Sequence, residues 1–90
     1  MKIREIRYDD EFENEFLSLP KTIQSKACKT ERLLRTNPFH PSLRLHKLKG
    51  NLLGAWSVSV DRKHRIIFKP LDNGVILFAS IGTHAIYDSV

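Results

Sequence analysis

The chain has 90 residues, of which 41% are hydrophobic and 28% charged, so we expect one small folded domain spanning residues 1–90. Its single cysteine excludes an internal disulfide and a metal site built on paired cysteines. The sequence contains no apolar run long enough to span a membrane and begins with no signal peptide, which predicts a cytoplasmic protein without membrane association.

The net charge of +5 is unevenly distributed along the chain. Residues 9–15 contain five acids and no base, whereas residues 44–69 contain seven bases and a single acid, Asp61. The bases are Arg44, Lys47, Lys49, Arg62, Lys63, Arg65 and Lys69. A basic face that only keeps a small protein in solution would have the same composition. Because the bases are concentrated in presumed strands and not in a tail, we favour a polyanionic partner.

The first half of the chain predicts a strand followed by two helices. Residues 2–8 are typical of a short strand. The first helix is expected to be capped by Asp9 or Asp10, and the second to begin near Pro20 and end at Asn37, before a proline. The apolar positions with helical spacing are Phe12, Phe16 and Leu19 in the first helix and Ile23, Ala27, Thr30 and Leu34 in the second. We therefore expect a helical hairpin packed on a sheet, with Cys28 as a small core residue.

The second half predicts strands. Leu43 and Leu45 alternate with Arg44 and His46, which indicates a strand with one apolar and one basic face. Further strands are expected after Gly54, over residues 64–69, and over residues 75–81 after a turn at residues 71–74. In the strand after Gly54, one face carries Trp56, Val58 and Val60 and the other carries Ser57 and Ser59. The last strand is apolar on both faces, which predicts a central position in the sheet.

Two side chains with useful chemistry follow the last strand closely. Gly82 is expected to let the chain turn, and His84 and Tyr87 come within the next five residues. A histidine and a tyrosine at a strand end, beside clustered cations, suit a substrate that carries phosphate. Our leading hypothesis is chemistry on RNA. As alternatives, His84 only caps the strand end and Tyr87 packs the chain end onto the core.

Four short segments, in this order, resemble the RelE/ParE superfamily of bacterial toxins: residues 45–50, 54–58, 65–68 and 81–84. The resemblance covers nearly the whole chain. It implies an α+β fold in which a helical hairpin packs on a curved, mostly antiparallel sheet of four to five strands. It also implies a small acidic antitoxin as partner in a type II toxin–antitoxin system. Many members cleave mRNA on the ribosome without a cofactor, whereas the ParE branch inhibits DNA gyrase.

Within the superfamily, the closest local match is to the YafQ-like mRNA interferases. The resemblance implies that His46 and His84 are functional histidines, and that Arg65 takes the place of the catalytic arginine of RelE-like members. The chain departs from the pattern at two points. Ser59 and Lys63 stand where that branch has a further histidine and an aspartate, and the terminal aromatic, Tyr87, follows His84 by three residues instead of four.

Metal-free RNA cleavage by the neighbouring 2′-hydroxyl needs a base, an acid and cations that stabilise the charged phosphorane. His84 and His46 suit the two proton transfers, Arg65 suits the phosphate, and Tyr87 can stack on a base or hydrogen-bond the phosphate. The predicted RNA-binding residues are Arg44, Lys47, Lys49, Arg62 and Lys63. We therefore expect a metal-independent endoribonuclease acting on ribosome-bound mRNA. The alternatives are a ParE-type gyrase inhibitor and a member that has lost catalysis and only binds its antitoxin or nucleic acid.

Several of these residues also have plain structural interpretations. Arg65 can pair with Asp61 across a hairpin, and His46 can be an inert residue on a polar face. The lysines Lys47 and Lys49 can simply protect a strand end. His64, beside a turn, is expected to be structural or solvated, and Trp56 to belong to the core.

Overall fold

The computed structural model describes the backbone of residues 1–89 and the side chains up to Tyr87, and Val90 lies outside the described residues. The strands are β1 (Glu5–Tyr8), β2 (His46–Lys47), β3 (Trp56–Ser59), β4 (Arg65–Pro70) and β5 (Val75–Gly82). The helices are α1 (Asp10–Ser18), α2 (Lys21–Thr36) and α3 (Ile86–Ser89), with 3₁₀ turns at Pro41–Leu43, Gly50–Leu52 and Asp72–Gly74. No helix in the described part of the chain is long and apolar enough to cross a membrane.

All five strands form one mixed sheet in the order β1-β5-β4-β3-β2. The neighbouring pairs β2–β3, β3–β4 and β4–β5 are antiparallel, and β1 joins β5 in parallel. The α+β class and the mostly antiparallel sheet are therefore confirmed. The interior position of β5, between β1 and β4, confirms the prediction made from its two apolar faces.

Helices α1 and α2 begin and end where their sequence signals predict. The Asp9 carboxylate caps α1 by accepting a hydrogen bond of 3.1 Å from the Glu11 N–H. Pro20 directly precedes α2, and Asn37, the residue before Pro38, ends it. The face of α2 that was predicted to be apolar is the one that packs on the core, since Ala27, Thr30 and Leu34 are buried.

The main core lies between α1, α2 and one face of the sheet. It contains Phe12 and Leu34 from the helices and Ile66, Phe68 and Phe78 from β4 and β5. The rings of Phe12 and Phe78 lie 5.3 Å apart, centroid to centroid. Complete burial of each such side chain contributes about 1.5–3 kcal/mol to folding. Trp56 is half-buried against this cluster, which confirms its expected place in the core.

A second apolar cluster covers the opposite face of the sheet. Ala55 and Ile67 are buried there beneath Ile86 of α3, with Leu48 and Tyr87 packed around them. Gly82 makes this arrangement possible, because a Cβ at that position would lie 2.6 Å from Cγ2 of Ile86. The expectation that Gly82 provides the turn was therefore incomplete. Gly82 is still paired with Arg65 in the sheet, and its lack of a side chain lets α3 fold back.

Two sequence predictions are wrong. Residues 43–46 do not form an alternating strand: Leu43 ends a 3₁₀ turn, Arg44 has a left-handed backbone with φ of 48°, and β2 starts only at His46. Cys28 is exposed and is not a core residue. It follows the buried Ala27 directly, and one residue turns a helix by about 100°, which carries the thiol away from the core.

Candidate functional site

A buried serine of β3, the strand next to the edge strand β2, lies on the sheet face that is turned away from α1 and α2. Ser57 of β3 pairs with His46 of β2 on one side and with Ile67 of β4 on the other. Directly opposed residues share a face of the sheet, so His46 and Ser57 lie on the face that α3 covers. The Ser57 side chain is fully buried, and its Oγ lies 3.0 Å from the phenolic oxygen of Tyr87.

The turn between β5 and α3 presents His84 beside this tyrosine. The two rings meet edge to face, with centroids 5.2 Å apart and an interplanar angle of 61°. The Tyr87 N–H also donates to the His84 carbonyl oxygen at 3.1 Å. His84 itself is exposed, whereas Tyr87 is half-buried. The expected strand-end pair is thus fixed on its buried side by Ser57 and open to solvent at the histidine.

His46 is exposed on the edge strand β2, and its ring is held from one side. The Nδ1 atom lies 3.2 Å from the carbonyl oxygen of Arg44. When Nδ1 carries the proton and donates it to this carbonyl, the tautomer is fixed and Nε2 is left as the basic nitrogen. Nε2 has no hydrogen-bond partner among the described residues. The carbonyl oxygen of Arg44, a residue with a left-handed backbone, therefore holds the His46 ring from one side.

Arg65 begins β4 opposite Ser59 on one side and opposite Gly82 on the other. Arg65 is half-buried, and its Nη1 donates a hydrogen bond of 2.9 Å to the Ser59 hydroxyl. The register places Arg65 next to the strand end that leads to His84. Ser59, which stands where a histidine was expected from the resemblance, therefore acts as a support for the arginine.

Asp61 is engaged within its own turn and not with Arg65. Its carboxylate accepts hydrogen bonds from the N–H groups of Lys63, at 2.8 Å, and His64, at 2.7 Å, and lies 3.0 Å from His64 Nδ1. Burial raises the pKa of this carboxyl, but the hydrogen bonds from His64 and Lys63 outweigh burial and lower the pKa below its usual range. His64 therefore has the structural role expected for it, and the alternative pairing of Arg65 with Asp61 is not what the structure contains.

The five predicted RNA-binding bases are exposed cations, and Lys47 lies on the opposite face of the sheet from His46, because its partner in β3 is Trp56. Lys47 places its ammonium 5.3 Å from the centroid of the Trp56 ring, a cation–π contact. Within the described residues none of the five belongs to an ion pair, so their charges are available to a partner. They are Arg44, Lys47, Lys49, Arg62 and Lys63.

Sequence reasoning did not identify Ser57 as a site residue. The alternation of β3 had placed Ser57 and Ser59 on one face, which was the available signal. What the sequence did not reveal is that a tyrosine thirty residues later bonds to Ser57. Among the described residues, no three His, Cys, Asp or Glu side chains converge where they could hold a metal ion.

No protein-family model and no curated protein matches the sequence. Solved structures do match. YafQ from E. coli strain BL21(DE3) superposes with a TM-score of 0.79 at 24% identity, over 93% of this chain and 97% of that one. The YafQ of the E. coli DinJ–YafQ toxin–antitoxin complex gives 0.75 at 24% identity, over 92% and 94%. A YoeB/ParE toxin from Agrobacterium tumefaciens gives 0.76 at 16% identity, over 90% and 99%. Since the alignments span nearly the whole of both chains, this protein has the fold of the RelE/ParE toxin superfamily.

Proposed function

We propose that the protein is the toxin of a type II toxin–antitoxin system and an endoribonuclease that cleaves ribosome-bound mRNA in the cytoplasm. One observation carries the proposal: α3 folds back so that His84 and Tyr87 meet the sheet face that also presents His46 and Arg65. Two histidines beside cations are the groups that RNA cleavage requires. The structural neighbours described as toxins support the toxin role.

In the proposed reaction the ribose 2′-hydroxyl attacks the adjacent phosphorus. The new O–P bond forms as the bond to the 5′-oxygen breaks, which leaves a 2′,3′-cyclic phosphate and a free 5′-hydroxyl. His46 is the better base, because its Nδ1 contact with the Arg44 carbonyl leaves Nε2 to accept the hydroxyl proton. His84, exposed at the strand end, then protonates the departing 5′-oxygen.

Arg65 is proposed to stabilise the charge that develops on the phosphate. Its hydrogen bond to Ser59 occupies one N–H of a group that has five, so the guanidinium is held in place and can still grip two phosphate oxygens. Since this cation never loses its charge near neutral pH, the proposed chemistry needs no metal ion. Tyr87, whose hydroxyl is already bonded to Ser57, is in edge-to-face contact with His84, and its remaining surface is proposed to stack on a base.

The proposed partner is a small acidic antitoxin. A chain with a net charge of +5, whose exposed bases form no ion pairs among the described residues, attracts an acidic segment, which would block RNA by covering Arg65, Lys47 or Lys49. The protein should therefore copurify from native cells with a small acidic companion, in a complex whose association slows as salt rises. Isolation as a monomer at every salt concentration would contradict this part of the proposal.

Induced expression followed by mapping of mRNA ends tests the proposed activity. We expect cuts within translated frames, with 2′,3′-cyclic or 3′-phosphate ends, and a loss of those cuts in His84→Ala. Lys69→Ala is a matched control, because Lys69 is an exposed base of β4 that lies outside the proposed site. Growth arrest with intact message and double-strand DNA breaks would overturn the proposal in favour of gyrase inhibition.

A further inference from the structure

A carboxylate of α1 is bonded to the edge of β5 close to the end of that strand. Glu15 Oε1 accepts a hydrogen bond of 2.7 Å from the Ser80 hydroxyl and one of 3.0 Å from the Ile81 N–H. Ser80 is fully buried and Glu15 is half-buried. Hydrogen bonds to a carboxylate are about twice as strong as those between neutral groups, so this contact holds β5 firmly to α1.

These bonds lie just beyond the end of the pairing between β1 and β5. The two strands are paired over residues Val75 to Phe78 of β5, after which the chain that formed β1 enters α1. The backbone N–H groups on that edge of β5 beyond Phe78 therefore need another acceptor. Glu15 supplies it at Ile81, so a side chain of α1 replaces the strand there.

The segment that Glu15 holds is the one on which the candidate site is built. Gly82, the residue after Ile81, is paired with Arg65 in the sheet. The turn that follows Gly82 carries His84. The proposed phosphate clamp and the proposed acid are thus both attached to the end of β5, and their separation depends on where that end lies.

The register of the sheet connects the same bonds to Tyr87. Ser80 is opposed to Ile67 of β4, and the neighbour of Ile67 on the other side is Ser57. Ser57 in turn bonds to the Tyr87 hydroxyl. A shift of β5 at Ser80 therefore also disturbs the strands that support Tyr87.

We propose that Glu15 is a positioning residue: by fixing the end of β5, it sets the placement of His84 relative to Arg65. The proposal rests on the proposed function in taking these two side chains as the acid and the phosphate clamp. Glu15 acts through β5 and has no contact with RNA in this scheme. It adds a residue of α1 to a site that the sequence analysis built from the second half of the chain.

Cleavage kinetics on programmed ribosomes test the proposal. Glu15→Ala leaves the Ser80 hydroxyl and the Ile81 N–H without their acceptor, so the end of β5 is free to shift. A misplacement of about 1 Å at a catalytic group can cost about 10²-fold, so we expect kcat to fall about tenfold and KM to stay within about twofold. Glu15→Gln keeps a side-chain oxygen that can accept both bonds, and it should restore most of kcat.

Thr30→Ala is the matched control for stability. Thr30 is buried in α2, which carries none of the proposed site residues, and its hydroxyl bonds to the Lys26 carbonyl oxygen at 3.0 Å. This variant should unfold at lower denaturant concentration, as Glu15→Ala does, and keep its kcat when measured well below the unfolding transition. Ser80→Ala removes one of the two bonds to Glu15 and replaces Glu15→Ala if that variant does not fold. Its kcat should fall as well.

NMR of the histidine ring gives a second readout that needs no activity. The Tyr87 ring lies edge to face with the His84 ring at 5.2 Å, so its ring current shifts the His84 signals. These shifts should diminish in Glu15→Ala and in Ser80→Ala. They should persist in Glu15→Gln and in Thr30→Ala, because both variants leave the end of β5 bonded to α1.

Two results would overturn the positioning role. One is a kcat that falls equally in Glu15→Ala and Thr30→Ala, since loss of stability alone would then explain it. The other is a set of His84 signals that does not change in Glu15→Ala. Failure of the proposed function gives a different result: a wild-type protein that cuts no message, with His84 signals that still depend on Glu15, would refute the nuclease and leave the positioning of His84 standing.

Discussion

The phenolic oxygen of Tyr87 lies 3.0 Å from the Oγ of Ser57, and this hydrogen bond ties α3 to strand β3 of the sheet. Ser57 is fully buried, so its hydroxyl has no water to replace a lost partner. Leaving such a group unsatisfied costs about 1–3 kcal/mol. The bond therefore fixes Tyr87, and the edge-to-face contact between the Tyr87 and His84 rings extends that restraint to the proposed acid.

Tyr87→Phe removes this hydrogen bond and keeps the ring. We expect it to lower the free energy of unfolding by about 1–2 kcal/mol. It should also reduce cleavage, because the ring that packs against His84 is then no longer held by Ser57. The double variant Ser57→Ala/Tyr87→Phe should lose less stability than the sum of the two single variants, since its buried hydroxyl is gone. Denaturant unfolding of all four proteins measures this coupling. Strict additivity would show that the contact contributes nothing.

Gly82→Ala tests the close approach of α3 to the sheet. The added methyl would meet Cγ2 of Ile86 at 2.6 Å, so α3 must shift and take His84 and Tyr87 with it. Displacements of about 1 Å at a catalytic group can cost about 10²-fold in rate, and we expect a cleavage loss of that order with the main core intact. Adding Ile86→Ala removes the clash and should restore part of the activity. Full activity of Gly82→Ala alone would refute this role for the glycine.

Asp61→Asn tests the turn that positions the start of β4. Loss of charge weakens the hydrogen bonds from Lys63 and His64, and we expect stability at neutral pH to fall by about 1 kcal/mol, or roughly 4–8 °C in Tm. Because folding lowers the pKa of Asp61, its contribution is present above the pKa of the unfolded chain and is lost as the pH falls through the folded value.

The stability difference between wild type and Asp61→Asn should therefore shrink as the solution is acidified below about pH 4. Asp72→Asn is the control, since Asp72 is exposed and its carboxylate accepts no hydrogen bond from the described residues. Thermal unfolding of the three proteins across this range is the measurement. An equal difference at pH 7 and at pH 3 would show that the charge of Asp61 is not what stabilises the turn.

The helices and the interior position of β5 were predictable because local signals and global packing agree. Asp9, Pro20 and Asn37 mark the helix ends chemically, and the two apolar faces of β5 require a central place. The strand predicted at residues 43–46 is absent, although Leu43 is buried and Leu45 partly buried, as two alternate residues of a strand would be. This pattern of burial arises from a 3₁₀ turn followed by Arg44 in a left-handed conformation. A non-glycine residue rarely adopts that conformation, and no sequence pattern predicts it here.

The proximity of His84 and Tyr87 was easier to predict than the serine contacts that hold Tyr87 and Arg65 in place. His84 and Tyr87 are close in sequence, so their proximity followed from the strand end alone. The supports Ser57 and Ser59 are contacts made across the sheet or over thirty residues, and they depend on the strand register and on α3 folding back. Such contacts have no local sequence signature.

The most direct test of the central claim is cleavage, on programmed ribosomes, of two messages that differ in one atom. In one of them, the nucleotide 5′ to the mapped cut carries hydrogen in place of its 2′-hydroxyl. If the 2′-hydroxyl is the nucleophile, the wild-type protein should cut the all-ribose message and leave a 2′,3′-cyclic phosphate, and it should leave the substituted message intact at that position. Cleavage of the substituted message at the same place would contradict the account, because the attacking group proposed for His46 to deprotonate would be absent.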